Sequence, residues 1–155
     1  MPKKQATKKK KIIFVCTGNT CRSPMAEALF RNFLSKKRKL SRYDVCSAGL
    51  SAQDGDKMSD NAVAALKALK VNLRKPITAT QLTREMCESA DLIVCMTNRH
   101  KFALGEYAVK AKAVGEITGG YDVPDPYGGD LELYVKTAEY LKYACDDIFA
   151  LAESL

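Results

Sequence analysis

The chain has no tryptophan, one histidine (His100) and six cysteines, none of them in a Cys-x2-Cys pair. So sparse a ligand set gives zinc no home, and neither a metal nor any other cofactor is expected. No apolar run approaches the roughly 18 residues of a membrane span. No apolar stretch follows the basic start closely enough to leave a signal-peptide cleavage site before the first strand. Aromatic-rich RNA motifs and zinc fingers are missing as well, so no nucleic-acid partner is expected. Internal repeats, low-complexity blocks and inter-domain linkers are absent too.

The rest is ordinary for a globular protein: 155 residues, 46% hydrophobic and 28% charged, enough for one domain with a real core. Several cysteines of the set Cys16, Cys21, Cys46, Cys87, Cys95 and Cys145 sit in apolar segments, as reduced thiols do. That predicts a reducing, cytoplasmic location. The net charge of +7 is partly local, in Lys3, Lys4 and Lys8 to Lys11 and in Lys36-Lys37-Arg38-Lys39. Residues 1–11 read as a disordered basic extension, and 12–155 as a single domain. The two clusters serve solubility, with attraction to acidic or phosphorylated partners as the sharper alternative.

The stretch Ile12 to Glu27 organises the chain. Ile12-Ile13-Phe14-Val15 is a short β-branched and aromatic run, the pattern of a buried parallel strand, expected over Lys11 to Cys16. Ser23 at the N-cap and Pro24 at N1 then open a helix, with Glu27 near the end of its first turn. Between them Gly18 and Asn19, residues that tolerate positive φ, allow successive N–H groups to turn inward. Such a strand–loop–helix joint is an anion site. A cysteine at its start, Cys16, is placed to serve as a thiolate nucleophile. Arg22, six residues on, offers a planar fork for two phosphoryl oxygens.

Further strands are expected at Tyr43 to Ala48, Asp91 to Thr97 and Ala111 to Val114. Helices are expected at Pro24 to Lys36, Ser59 to Lys70 (capped by Ser59), Thr83 to Ala90 (capped by Thr83), Asn98 to Tyr107 and Leu131 to Ala152. In the last, Leu133, Ala138, Leu141, Ala144, Cys145, Ile148, Phe149 and Ala152 should face inward. Strands alternating with helices predict a three-layer α-β-α fold around a four-stranded parallel sheet, with ligands at the carboxyl ends of its strands.

Cys16-Thr17-Gly18-Asn19-Thr20-Cys21-Arg22-Ser23-Pro24 resembles the phosphate loop of the low-molecular-weight protein tyrosine phosphatases, whose pattern is Cys-x5-Arg-Ser-Pro. Nearly all of Ile12 to Leu151 shares the resemblance. It implies a flavodoxin-like strand order 2-1-3-4 and a metal-free phosphatase working through a phosphocysteine. Asp125 in Asp125-Pro126-Tyr127 matches the family's general-acid loop, with Asp122 as the fallback. Tyr127 would form one wall of the substrate slot. Ser23 could donate to the Cys16 thiolate as well as cap the helix. Thr17, Gly18, Asn19, Thr20, Cys21 and Leu50 complete the expected substrate-binding set. For Cys21 two readings stay open: a reversible disulfide with Cys16, implied by the resemblance, or a small apolar filler. His100, far along the chain at a helix start, reads as structural.

Three departures from the tyrosine-specific pattern stand out. Thr20 replaces a mid-loop Ile or Leu, Gly128 replaces a second aromatic after Tyr127, and Ile77-Thr78-Ala79-Thr80-Gln81 replaces a His-x-Ala-Arg-Gln motif. Thr20, Gly128-Gly129 and Glu88-Ser89-Ala90-Asp91-Leu92 followed by Met96-Thr97 look more like the protein-arginine phosphatase branch. The expected substrate is therefore phosphoarginine in proteins, with phosphotyrosine the alternative and a monomer or weak homodimer the expected state. Thiol-coupled arsenate reduction would need relay cysteines after the third strand, where there are none. A non-enzymatic phosphate-binding module fits poorly with intact Cys16, Arg22 and Asp125.

Overall fold

Four parallel strands lie side by side in the order β2-β1-β3-β4: β1 (Lys10–Cys16), β2 (Tyr43–Gly49), β3 (Leu92–Cys95) and β4 (Ala111–Ala113). This is the expected α/β arrangement, seen in a computed structural model that describes residues 8–155. The first seven residues, with Lys3 and Lys4 of the expected extension, lie outside the described residues. Lys10 and Lys11 do not belong to an extension: they pair with Tyr43 and Asp44 and begin β1. Ladder hydrogen bonds to β2 draw them into the sheet despite their charge.

Alternation along β1 divides the interior in two. Ile12, Phe14 and Cys16 face the larger core, shared with α1 (Arg22–Lys36), α2 (Asp60–Ala68) and α6 (Leu131–Glu153). Ile13 and Val15 face a smaller core with Cys87 of α3 (Arg84–Ser89), Leu104 and Ala111. Both faces of the sheet are thus covered, which is why Ile12 to Cys16 of β1 and the whole of β3 are apolar. Phe30 of α1 fills the larger core, edge-on to Phe14 at 5.7 Å and to Tyr43 at 6.3 Å.

Caps set most helix starts. Ser59 accepts from Ala62 N at 3.2 Å, Thr83 from Met86 N at 3.2 Å and Asp130 from Leu133 N at 3.0 Å. Helix α1 is the exception. It begins two residues earlier than expected, at Arg22, with Cys21 in the cap position and no side-chain cap. Ser23 is therefore inside the first turn and Pro24 at its third residue, because the Ser23 hydroxyl is spent on the phosphate loop.

Three further corrections concern short segments. The fourth strand stops at Ala113 and passes directly into α5 (Val114–Thr118), whose start is held by Glu116 accepting from Ala113 N at 3.0 Å. The expected helix from Asn98 breaks after α4 (Asn98–Phe102), and a 3₁₀ segment follows from Gly105, whose φ is 58°. Leu133 points to solvent, and the adjacent Tyr134 is buried in its place.

Candidate active site

The carboxyl ends of β1 and β3 meet, and everything expected of the site gathers there. The backbone carbonyls of Cys16, Thr17, Thr20 and Cys21 are tied to residues outside the loop. Leu50 N donates to Cys16 O at 3.0 Å, Ser51 N to Thr17 O at 2.9 Å, Ser59 N to Thr20 O at 3.0 Å and Met25 N to Cys21 O at 3.2 Å. With their carbonyls so tethered, the N–H groups of Gly18, Thr20, Cys21 and Arg22 have no protein partner among the described residues. Free donors at the first turn of a buried helix make a nest for an anion.

Asn19 is the keystone of this turn. Only 1% exposed, it adopts φ 56°, in the left-handed region that Asn tolerates. Its side-chain oxygen accepts from Thr80 N at 2.9 Å, which orients the amide so that Nδ2 donates to Ser23 Oγ at 2.6 Å. Ser23 Oγ also lies 2.9 Å from Cys16 Sγ, with its hydroxyl hydrogen available to the sulfur. A second donor reaches the same sulfur: Asn19 N, at 3.3 Å. Gly18, by contrast, is not in the positive-φ region, and a Cβ there would meet only Thr20 Oγ1 at 3.9 Å. The reversal of the chain is made by Asn19 alone.

Arg22 is 6% exposed and anchored by Nη1 donating to Val123 O at 3.1 Å. Its other terminal nitrogen stands 3.7 Å from Asp125 Oδ2. Asp125 is half-exposed and accepts from Tyr127 N at 3.1 Å, an Asx turn that fixes its carboxylate toward the arginine. Asp122 is committed elsewhere: its carboxylate caps α4 by accepting from Asn98 N at 3.0 Å. The fallback acid is thus turned toward α4, while Asp125 is the carboxylate that stands beside Arg22.

Tyr127 stands at the rim, 80% exposed. Leu50 meets the loop through its backbone, while its side chain packs on the smaller core rather than at the sulfur. Cys21 is a buried free thiol whose sulfur lies 3.4 Å from Tyr134 OH and 3.5 Å from Ser59 Oγ. Thr20 Oγ1 lies 3.8 Å from that sulfur. Among the other cysteines, burial pushes the thiols of Cys95 and Cys145 up to about 12 and that of Cys46 up to about 11, so they stay protonated at neutral pH.

Three contributors escape a reading of the sequence. Gly49 lies so close to the phosphate loop that a Cβ would meet Thr17 O at 2.5 Å. Gln81 clips the neighbouring segment, taking Ala52 N at 2.8 Å and giving to Leu50 O at 3.0 Å. His100 is buried against the loop itself, its Nε2 2.9 Å from Thr17 Oγ1. Burial first, and the charge of Arg22 second, pull its imidazole down to about 4, so it is neutral at physiological pH. For Gly49 and Gln81 the only available signals were their places at the end of a strand and in the altered motif.

Residues 11–155 match the family model for low molecular weight phosphotyrosine protein phosphatase. The chain is 42% identical over 137 residues to a protein-arginine-phosphatase of Bacillus subtilis, covering 84% of this chain and 89% of that protein. It is 37% identical over 140 residues to the low molecular weight protein-tyrosine-phosphatase PtpB of Staphylococcus haemolyticus, covering 86% and 93%. Its fold superposes with a TM-score of 0.82 on the arginine phosphatase YwlE solved with a phosphorylated active-site serine, at 40% identity over 94% of this chain and 95% of that one. The expected kinship and strand order are both borne out, and the chain belongs to the low molecular weight phosphotyrosine protein phosphatase family.

Proposed function

We propose that the protein is a cytoplasmic phosphatase of phosphoarginine in proteins, built as a single catalytic domain. The Cys16 thiolate attacks phosphorus, and the bond from phosphorus to the guanidinium nitrogen breaks. Asp125 gives that nitrogen its proton, leaving phosphocysteine and free arginine. Water then attacks the phosphocysteine, passing a proton to Asp125, and phosphate departs with the Cys16 thiolate restored. Through both steps the loop N–H groups and Arg22 hold the equatorial oxygens. Ser23, fixed by Asn19, donates to the sulfur as it becomes the leaving group. A thiolate nucleophile needs a reducing compartment, hence the cytoplasmic location.

The observation that carries the substrate choice is Thr20, a short polar side chain in mid-loop where a flat guanidinium has to fit. Gly128 supports it: its φ is 79°, a backbone that a second aromatic would adopt only under strain. The 42% identity to a protein-arginine-phosphatase points the same way. The 37% identity to PtpB favours the second reading, phosphotyrosine, by the same chemistry. Matched peptides bearing phosphoarginine or phosphotyrosine test the choice, with Cys16→Ser as the inert control. A kcat/KM higher for the phosphotyrosine peptide would overturn the arginine assignment, and turnover by Cys16→Ser would overturn the mechanism.

A further inference from the structure

The chain's one histidine is spent in an unexpected way. A ring serving only to fill space beside α4 would be satisfied by its own helix cap. Thr97 does that work already: its hydroxyl accepts His100 N at 3.2 Å and lies 3.0 Å from Nδ1. The second ring nitrogen reaches 83 residues back along the chain to the Thr17 hydroxyl, inside the phosphate loop. Either tautomer can make both contacts, because each threonine hydroxyl can give or take a hydrogen bond.

The corner that carries His100 is tied on its other side to the acid loop. Val123 N donates to Met96 O at 2.9 Å, Asp122 caps Asn98 N, and Val123 O receives Arg22. The segment from Met96 to His100 is therefore bonded to both halves of the active site. One half is the loop that would hold phosphate, and the other carries the proton donor. Thr17 itself is held at two points, by Ser51 through its carbonyl and by His100 through its hydroxyl.

We propose that His100 is a positioning residue for catalysis: its imidazole clamps Thr17 and so fixes the phosphate loop against the acid loop. It touches no reacting atom and works through Thr17. The inference rests on the loop being the phosphate site, as the proposed function has it. Removing the ring frees the Thr17 side chain and loosens the first peptide of the nest, so the loss falls on anion binding and turnover rather than on stability alone.

The test is the dissociation constant of inorganic phosphate by calorimetry, with kcat and KM in parallel, for the full chain and for His100→Ala, His100→Gln and Thr17→Val. His100→Ala is expected to weaken phosphate by about tenfold and to lower kcat with it. His100→Gln, whose amide can still reach Thr17, should recover most of that loss. In the double variant Thr17→Val should add nothing further, since both changes break the same contact. The proposal is overturned if His100→Ala binds phosphate within about twofold of the wild type, or if the two losses multiply in the double variant. Should His100→Ala fail to fold, Thr17→Val alone decides, by the same tenfold and twofold criteria. An inert wild type overturns the phosphatase reading alone; an unchanged phosphate affinity overturns the role of His100 alone.

Discussion

Arg22 and Asp125 face one another at 3.7 Å, the arginine buried and the aspartate half in solvent. Without a substrate the pair neutralises itself. In the proposed mechanism an incoming phosphoryl group takes over the guanidinium and releases the Asp125 carboxyl group toward the leaving atom. Until then the pairing keeps the Asp125 side chain beside the loop.

Asp125→Asn preserves shape and removes the proton. We expect kcat to fall by roughly 10²- to 10³-fold, in the range of a lost general acid. The fall should be smaller for an aryl phosphate with a stable leaving anion than for one with a basic leaving group. Equal losses on the two, measured by steady-state kinetics, would show that Asp125 acts as a charge and not as an acid.

Thr20→Ile should swing the preference from phosphoarginine toward phosphotyrosine peptides by at least about tenfold in the ratio of kcat/KM. An apolar mid-loop side chain welcomes a phenyl ring and strands the guanidinium's donors. An unchanged ratio would move the source of selectivity out of the loop.

Gly49→Ala brings a methyl group to within 2.5 Å of Thr17 O, a backbone atom held in place by Ser51. The loop has to shift to admit it. We expect kcat to fall by more than tenfold, with a stability loss of about 1–3 kcal/mol in urea titration. Wild-type kinetics in this variant would mean that the loop adapts freely.

The pH dependence of stability carries a signature of His100. Its folded-state pKa, about 4, lies below the ordinary 6.5, because burial and Arg22 oppose the proton more than Asp122 and Asp125 attract it; Arg99 also opposes it. The unfolded chain takes up that proton first, so the contribution is intact above about pH 6.5 and drains away as pH falls toward 4. Urea midpoints at about pH 7.5 and pH 5 should therefore diverge more for the wild type than for His100→Gln. Equal divergence would place the imidazole in contact with water.

What the sequence made legible was contiguous. The phosphate loop lies in one run of residues, and the apolar runs Ile12 to Cys16 and Leu92 to Cys95 are unbroken because both faces of the sheet are covered. The misreadings came where distant partners decide. Ser23 has the look of an N-cap, and only the fold brings Asn19 round to claim its hydroxyl. Gly18 promises a left-handed turn that Asn19 performs, since Thr80, 61 residues away, holds the asparagine amide. His100 shows no local sign of its partner at Thr17. Leu133 and Tyr134 exchange places because the tyrosine hydroxyl has Cys21 to meet.

Helix α1 begins as the anion nest and continues, through Met25, Leu29 and Phe30, as the centre of the larger hydrophobic interior. The nest is therefore continuous with a helix anchored in the larger core. Amide protons in the middle of α1, those of Leu29 and Phe30 among them, should exchange with deuterium far more slowly than those of the exposed stretch bearing Asp125. Evolution can retune the acid arm cheaply, but the cradle and the fold stand or fall together.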